Sequence, residues 1–275
     1  MKSPHKVLAK IYRFDPSKDE KARYETYEVP YEKDMRVLDV LNYIVDNLQP
    51  GIANRWFCGV KKCGACAVMV NGSAVLACWE AASTMMVIEP LRNFPIIRDL
   101  VVDCTGFNER MIDLRPLVER DQPYPGFPEP LTHVEIEPAY KVMSCIECMC
   151  CMAACDVLAE EKFEKAGKDW GGFYGPAAMV QLAEVALHPR DSADRVSLAL
   201  KGGLEYCLSC NSCTLACPNE IPILTGAIDK LRDKAIASKA YWVRGWWLVK
   251  RLPPWMRSIL RCKLKLTLGE AVKSR

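Results

Sequence analysis

The residues most able to do chemistry in this sequence are cysteines spaced like metal ligands. Two runs repeat the pattern C-x2-C-x2-C-x3-C, one over residues 145–155 and the other over residues 207–217. The pattern is typical of iron–sulfur ligation, and in proteins with two such runs the fourth cysteine of each run binds the other cluster. The spacing therefore predicts one [4Fe–4S] centre on Cys145, Cys148, Cys151 and Cys217. It predicts a second [4Fe–4S] centre on Cys155, Cys207, Cys210 and Cys213.

A third group follows the pattern C-x4-C-x2-C…C and consists of Cys58, Cys63, Cys66 and Cys78. This is the spacing of a plant-type [2Fe–2S] centre, in which one tight loop supplies three ligands and a hairpin returns the fourth. Gly59 and Gly64 lie in the loop, where the lack of a side chain lets backbone amides approach the sulfurs. The alternative is a zinc-stabilised interaction protein, although structural zinc usually takes two C-x2-C pairs. Colour separates the two, because a zinc protein is colourless and a three-cluster protein is brown.

Three further cysteines fall outside these groups, and we expect them to be small buried residues and not ligands. Cys104 is expected at the end of a strand or helix, and Cys262 in a basic helix. Cys150 is expected beside a cluster without binding it, because Cys148 and Cys151 already fill the ligand register.

The elements that position the first group are predicted by residue periodicity. Residues 6–30 alternate polar and apolar around a polar turn, which indicates two paired strands. Residues 35–48 have the spacing of a helix, followed by the cysteine loop and a hairpin with the turn Asn71-Gly72. The expected apolar side of that helix is Val37, Leu38, Leu41, Ile44, Val45 and Leu48. This order of elements is that of a β-grasp [2Fe–2S] ferredoxin domain.

Six prolines between residues 116 and 138 predict a surface linker without helix or strand. Beyond them the periodicity is helical over residues 177–187 and again after the second cysteine run. The predicted fold is therefore α+β, with a β-grasp domain followed by an α-helical two-cluster ferredoxin domain. The predicted divisions are a β-grasp domain at 1–106, a linker at 107–138, a two-cluster domain at 139–238 and a basic, Trp-rich tail at 239–275.

Composition places the chain among globular proteins of a reducing compartment. It is 50% hydrophobic and 26% charged, and its N-terminus lacks the apolar region of a secretory signal. No apolar run is long enough to predict a membrane span. Residues from Lys239 onward carry ten Lys or Arg against the single acid Glu270, and with four tryptophans they predict a tail that binds an anionic membrane surface or a membrane partner. No nucleic-acid partner is expected.

The chain also lacks the marks of a substrate-converting enzyme. Its three histidines are scattered, and no nucleophile–base pair or nucleotide-binding loop is evident. These histidines are His5, His133 and His188. We therefore expect any enzymatic reaction to take place on a partner subunit.

Over residues 6–236 the sequence resembles the iron–sulfur subunit of succinate dehydrogenase and fumarate reductase. Besides the cysteines, the segments PLRNFPIIRDLVVD (90–103) and FYGPAAMVQLAEVALHPRD (173–191) are similar to segments of that family. The resemblance implies electron transfer in respiration between an FAD-bearing dicarboxylate flavoprotein and a quinone held with membrane anchor subunits. It implies a peripheral position on the cytoplasmic side of the membrane.

The sequence departs from that family around the last cluster. The family generally has three ligands there, matching Cys155, Cys207 and Cys213, which bind a [3Fe–4S] centre. Cys210 adds a fourth and favours [4Fe–4S], with [3Fe–4S] as the alternative.

The family's quinone contacts are the second departure. The family often has a proline, a quinone-contacting tryptophan and a histidine where this chain has Asp156, the segment 157–160 and Leu208. The quinone contacts are therefore not carried over. A thiol-linked fumarate reductase, or another flavoenzyme with a non-quinone acceptor, stays open as an alternative, although the Cys/Pro-rich extra domains expected of a thiol-handling chain are not in the sequence.

Overall fold

The computed structural model describes residues 6–160 and 172–238. Its N-terminal half is a five-stranded sheet in the order β2-β1-β5-β3-β4. The strands are β1 (Lys6–Arg13), β2 (Arg23–Pro30), β3 (Ala67–Val70), β4 (Ser73–Leu76) and β5 (Met85–Glu89). Strand β1 runs antiparallel to β2 and parallel to β5, whereas β3 runs antiparallel to both β4 and β5. The strand pair and the hairpin agree with the prediction, and the central strand β5 was not predicted.

Helix α1 (Val37–Asn47) covers one face of this sheet. Its buried face is Val37, Leu38, Val40, Leu41 and Ile44. The predicted face was wrong at its C-terminal end, because the helix ends at Asn47 and leaves Leu48 44% exposed. Val40 fills the core position instead. The buried face stabilises the sheet from which the first cysteine loop projects.

A buried ion pair holds the chain that leads into this loop. Asp99 lies between the short strands β6 (Ile96–Arg98) and β7 (Val101–Val102), and its carboxylate accepts from Arg13 Nε at 3.0 Å. The same carboxylate accepts from the amide of Ala53 at 2.9 Å. Because Ala53 precedes the first cluster cysteine by five residues, this pair fixes where the cysteine loop starts.

The predicted linker contains parts of two helices, and to that extent the prediction was wrong. Helix α2 (Thr105–Leu114) and helix α3 (His133–Tyr140) extend into it, and α3 includes Pro138. The start of α3 is stabilised by a capping box, because the Thr132 hydroxyl accepts from the Glu135 amide at 3.3 Å and the Glu135 carboxylate accepts from the Thr132 amide at 2.9 Å. These two reciprocal hydrogen bonds stabilise the start of α3 and offset the destabilising effect of Pro138 in so short a helix.

The helical half is built around one almost fully buried helix, α6 (Pro176–Ala186). The other helices are α4 (Cys150–Ala153), α5 (Asp156–Glu160), α7 (Arg195–Lys201), α8 (Ser212–Leu215) and α9 (Asp229–Ala237). A 3₁₀ turn at Leu204–Tyr206 and a π-helical segment at Ile223–Ile228 complete the described chain. The α+β prediction is confirmed.

Two hydrophobic clusters fill the interior. One lies between the sheet and α1, and the other joins the helical half to side chains from residues 69–114. Residues up to 231 form one compact unit. The division at 106 and 138 therefore stays a prediction, and the predicted tail at 239–275, with Cys262, lies outside the described residues. Among the described helices, none has the length and apolarity needed to cross a bilayer.

Candidate metal centres

The first cysteine loop surrounds its sulfurs with backbone N–H donors. The Cys58 sulfur accepts from the amides of Val60 at 3.4 Å and Lys62 at 3.3 Å. The Cys78 sulfur accepts from Lys61 at 3.4 Å, which joins the returning hairpin to the loop. Amide donors stabilise negative charge on sulfur, and they are the groups that tune iron–sulfur potentials.

The other two sulfurs of this group accept from the backbone amides of its remaining two cysteines. The amide of Cys58 donates to Cys63 Sγ at 3.5 Å, and the amide of Cys78 donates to Cys66 Sγ at 3.5 Å. Hydrogen bonds from the amides of Val60 and Lys62 lower the pKa of Cys58 to about 6. Burial raises the pKa of Cys66 to about 12, so its thiolate needs a compensating positive charge. A [2Fe–2S] cluster supplies that charge through iron, and the donor set fits it.

The two later runs adopt the same local conformation. In each run the second and fourth residues after the first cysteine have left-handed φ, at Glu147 and Met149 in one and at Ser209 and Asn211 in the other. A one-turn helix follows at once, α4 in the first run and α8 in the second. Non-glycine residues in this region cost about 1 kcal/mol each, and such strain is concentrated at functional sites. Cys210 consequently occupies the register position that Cys148 occupies in the first run.

The structure brings the runs together in a crossed arrangement. Cys145, Cys148, Cys151 and Cys217 line one cavity. Burial raises the pKa of Cys145 to about 11, and the neighbouring thiols of Cys148 and Cys217 act in the same direction. Cys217 belongs to the second run in sequence, and it lies with the first run in space.

The remaining four cysteines line a second cavity, and they are Cys155, Cys207, Cys210 and Cys213. Burial raises the pKa of Cys213 to about 12, followed by the effects of Cys207, Cys155 and Cys210. Cys155 and Cys213 are buried, whereas Cys210 is exposed. Cys210 thus lies at the solvent side of this set.

Each of the three sets supplies four thiols, which is the number of ligands that these iron–sulfur clusters take. Across residues 6–160 and 172–238, no group of three or more His, Cys, Asp or Glu side chains could hold a single metal ion. Four zinc-bound sulfurs would each lie about 2.3 Å from a shared ion. A cluster spreads its thiolates over several iron atoms, and the paired sets of four match that donor chemistry.

The cysteines outside the sets have other surroundings. Cys150 is fully buried at the start of α4, and a hydrogen bond with Cys148 followed by burial raises its pKa. It lies beside the first crossed set, where it was predicted. Cys104 is half-buried and precedes α2, with Arg55 Nη2 3.9 Å from its sulfur. The expected helix end is found, and the expected full burial is not.

Two polar residues that support the centres were not identified from the sequence. Gln181 hydrogen-bonds the Cys145 sulfur from within the apolar helix α6, which opposes the effect of burial on the Cys145 pKa. Asn93 Nδ2 donates to the carbonyl oxygens of Met152 at 2.9 Å and Cys155 at 3.2 Å. A polar residue inside an apolar segment was the available signal for Gln181. The sequence carries no such signal for Asn93, because its hydrogen-bond partners lie about sixty residues away.

Comparison with known proteins gives the same order of centres. Residues 8–109 match the model of a 2Fe-2S iron-sulfur cluster binding domain, and residues 141–221 match that of a 4Fe-4S dicluster domain. The chain is 34% identical to the fumarate reductase iron-sulfur subunit of Haemophilus influenzae, over 82% of this chain and 94% of that protein.

A longer protein and a solved structure are also similar. The chain is 33% identical to a subunit of the fumarate reductase (CoM/CoB) of Methanothermobacter marburgensis, over 83% of this chain and 44% of that protein. It therefore spans less than half the length of that relative. A chain of the Mycobacterium smegmatis Sdh1 complex in the apo form superimposes with a TM-score of 0.75 at 27% identity, covering 86% of this chain and 98% of that one.

Proposed function

The chain belongs to the family of fumarate reductase and succinate dehydrogenase iron–sulfur subunits, and from that premise we propose that it carries electrons between an FAD-bearing dicarboxylate subunit and a quinone site at the membrane. The observation that carries the proposal is the crossed arrangement of the two later cysteine runs beside the first loop. When bound, the clusters supply one-electron chemistry. The chain's own residues hold them, surround their sulfurs with donors and exclude water.

The proposed ligand sets follow the three groups of thiols. A [2Fe–2S] centre is held by Cys58, Cys63, Cys66 and Cys78, and a [4Fe–4S] centre by Cys145, Cys148, Cys151 and Cys217. A second [4Fe–4S] centre is held by Cys155, Cys207, Cys210 and Cys213. The shared register of Cys210 and Cys148 supports the fourth ligand over the [3Fe–4S] alternative.

The [2Fe–2S] end is the proposed docking side for the flavoprotein. Phe57 is 82% exposed next to Cys58, and Trp56, Val60 and Trp79 are exposed around it. Lys61 lies over the Trp79 ring at 5.1 Å, so positive charge borders the apolar patch. Exposed apolar residues rimmed by charge are typical of protein interfaces.

The cubane end is the proposed side of the acceptor and the anchor subunits. Leu208 is 66% exposed and lines the cavity of the last set. This side chain gives that end an apolar surface next to the proposed terminal centre. The subunit is proposed to sit peripherally on the cytoplasmic face, and its predicted membrane-binding tail is outside the described residues.

A second candidate function is electron transfer to a thiol carrier instead of a quinone. It is favoured by one observation, the 33% identity to a subunit of a fumarate reductase whose name specifies CoM/CoB. Leu208 and the segment 157–160, where the family often has quinone-contacting residues, are compatible with it. The flavoprotein partner and the three centres are common to both candidates.

The test is anaerobic purification of the chain with its natural partners, followed by EPR and Mössbauer spectroscopy. We expect a co-purifying dicarboxylate flavoprotein, one [2Fe–2S] signal and two [4Fe–4S] signals. Reduction by a quinol analogue, and not by a dithiol, supports the quinone acceptor, and the reverse result supports the thiol carrier. Colourless protein containing zinc would overturn both.

The role of Cys210 as the proposed fourth ligand is tested by a separate variant with a matched control. Cys210→Ser is expected to create an oxidised-state [3Fe–4S] signal that the natural chain lacks. Cys104→Ser removes a thiol outside the ligand sets and should leave the spectrum unchanged. A dominant [3Fe–4S] signal in the unmodified chain would exclude Cys210 as a ligand.

A further inference from the structure

The loop that carries three of the [2Fe–2S] cysteines touches the loop of the first crossed set at one glycine. A Cβ atom built on Gly64 would lie 2.6 Å from the carbonyl oxygen of Ile146, 2.9 Å from Cys148 Cα and 3.0 Å from Cys148 Cβ. Contacts below 3.0 Å are repulsive, and two of these atoms belong to the backbone, which cannot rotate away. The two loops are therefore as close as a residue without a side chain allows.

Gly64 lies between Cys63 and Cys66 in sequence, and Cys148 belongs to the other proposed ligand set. The Ile146 and Cys148 side chains also pack against the hydrophobic cluster of the sheet and α1. The contact is thus part of a packed junction and joins two ligand loops directly. A change in its width moves one set of sulfurs relative to the other.

We propose that Gly64 is a positioning residue that sets the separation between the [2Fe–2S] centre and the first [4Fe–4S] centre, and with it the rate of electron transfer between them. The inference rests on the proposed function, since it needs both centres. In the transfer, one electron leaves the reduced [2Fe–2S] centre and enters the oxidised [4Fe–4S] centre, with no bond formed or broken and no proton moved. Electron tunnelling weakens exponentially with distance, so a small increase in separation slows the step.

The chain contains a matched control for this position. Gly59 lies in the same loop with φ +69°, close to the φ of +71° at Gly64. A Cβ atom on Gly59 would meet nothing within 4 Å. Gly59→Ala and Gly64→Ala therefore impose the same kind of left-handed strain, and only Gly64→Ala closes on the neighbouring loop.

The experiment compares the full-length holoprotein with these two variants after complete anaerobic reduction, when both centres are paramagnetic. EPR power saturation and line broadening of the [2Fe–2S] signal report its magnetic interaction with the neighbouring centre. We expect Gly64→Ala to weaken that interaction and to slow transfer between the centres several-fold in rapid-mixing reduction. We expect Gly59→Ala to keep the interaction of the natural chain.

Each outcome decides the question. Equal behaviour of the two variants overturns the proposal. If both lose the magnetic interaction, left-handed backbone strain explains the loss. If both keep it, the contact at Gly64 has no effect on it. Loss of the [2Fe–2S] centre in Gly64→Ala alone also overturns it, because Gly64 then serves the assembly of the centre and not its separation from the next one. Absence of the centres from the unmodified chain refutes the proposed function and the role of Gly64 with it, whereas equal behaviour of the two variants in a chain that holds its centres refutes the role of Gly64 alone.

Discussion

Replacing Arg195 with alanine should destabilise the helical half strongly, because a buried carboxylate would lose its partner. Arg195 donates to Asp191 from Nε at 2.9 Å and from Nη2 at 2.7 Å. The two side chains are only 3% and 2% exposed. Arg195 also donates to the carbonyl oxygens of Arg115 at 2.8 Å and of Leu117, so it fastens the Pro-rich segment to α7.

The magnitude follows from what the substitution leaves behind. Burial opposes ionisation of Asp191, but hydrogen bonds from Arg195 and from the Glu119 amide outweigh it and lower the Asp191 pKa. Removing one member of a buried ion pair costs about 3–5 kcal/mol, because the other charge stays buried. The carbonyls of residues 115 and 117 add little, since both residues are exposed and water can replace the lost donor. We therefore expect Arg195→Ala to cost about 4 kcal/mol.

Hydrogen exchange of the intact holoprotein measures this without complete unfolding, which cluster loss would make irreversible. A loss of about 3–5 kcal/mol accelerates amide exchange in α7 by roughly 10²–10⁴-fold, at 1.36 kcal/mol per decade. Strands β1 and β2 provide the internal control. Arg195→Ala combined with Asp191→Asn should recover part of the loss, because the uncompensated charge is gone. An acceleration below tenfold, or no recovery in the double variant, would refute the reasoning.

Three further predictions concern the centres and the tail. Cys66→Ser should weaken or remove the [2Fe–2S] EPR signal while both cubane signals persist, and loss of all three would contradict separate ligand sets. Gln181→Leu removes a hydrogen bond to Cys145, so the first [4Fe–4S] centre should shift to a lower potential in a redox titration, and an unchanged potential would exclude this role. Truncation after Ser238 should release the subunit from membranes in salt with its centres intact. Equally tight co-sedimentation would show that the tail is not the anchor.

Local sequence patterns predicted the structure wherever the conformation of an element depends on residues close to one another in sequence. The alternation in residues 6–30, the Asn71-Gly72 turn and the register of the cysteine runs each specify a conformation through neighbours in sequence. Strand β5 was missed because its sequence, MMVIE, is a short apolar run without alternation. This segment forms a strand because it pairs with β1 on one side and with β3 on the other.

The contacts that support the site could not be predicted from the sequence, for a related reason. Asn93 holds the end of α4 from about sixty residues away, and Gly64 matters only because Ile146 lies against it. Spacing predicts most of a ligand set, because three of its four cysteines share a loop. A residue that positions two loops has no such signature, since neither partner is near it in sequence.

The crossed arrangement explains how the spacing of the centres is kept. Cys217 joins the first set and Cys155 joins the second, so neither run can move without distorting both. Asn219 Nδ2 strengthens the tie by donating to the Ser144 carbonyl at 2.6 Å. In the proposed ligand sets each cluster takes ligands from both runs, so metal binding and folding would be one process for this half. Under the proposed function, fixed separations would determine how fast electrons pass through the chain, and the potentials of its two proposed partners would determine in which direction they go.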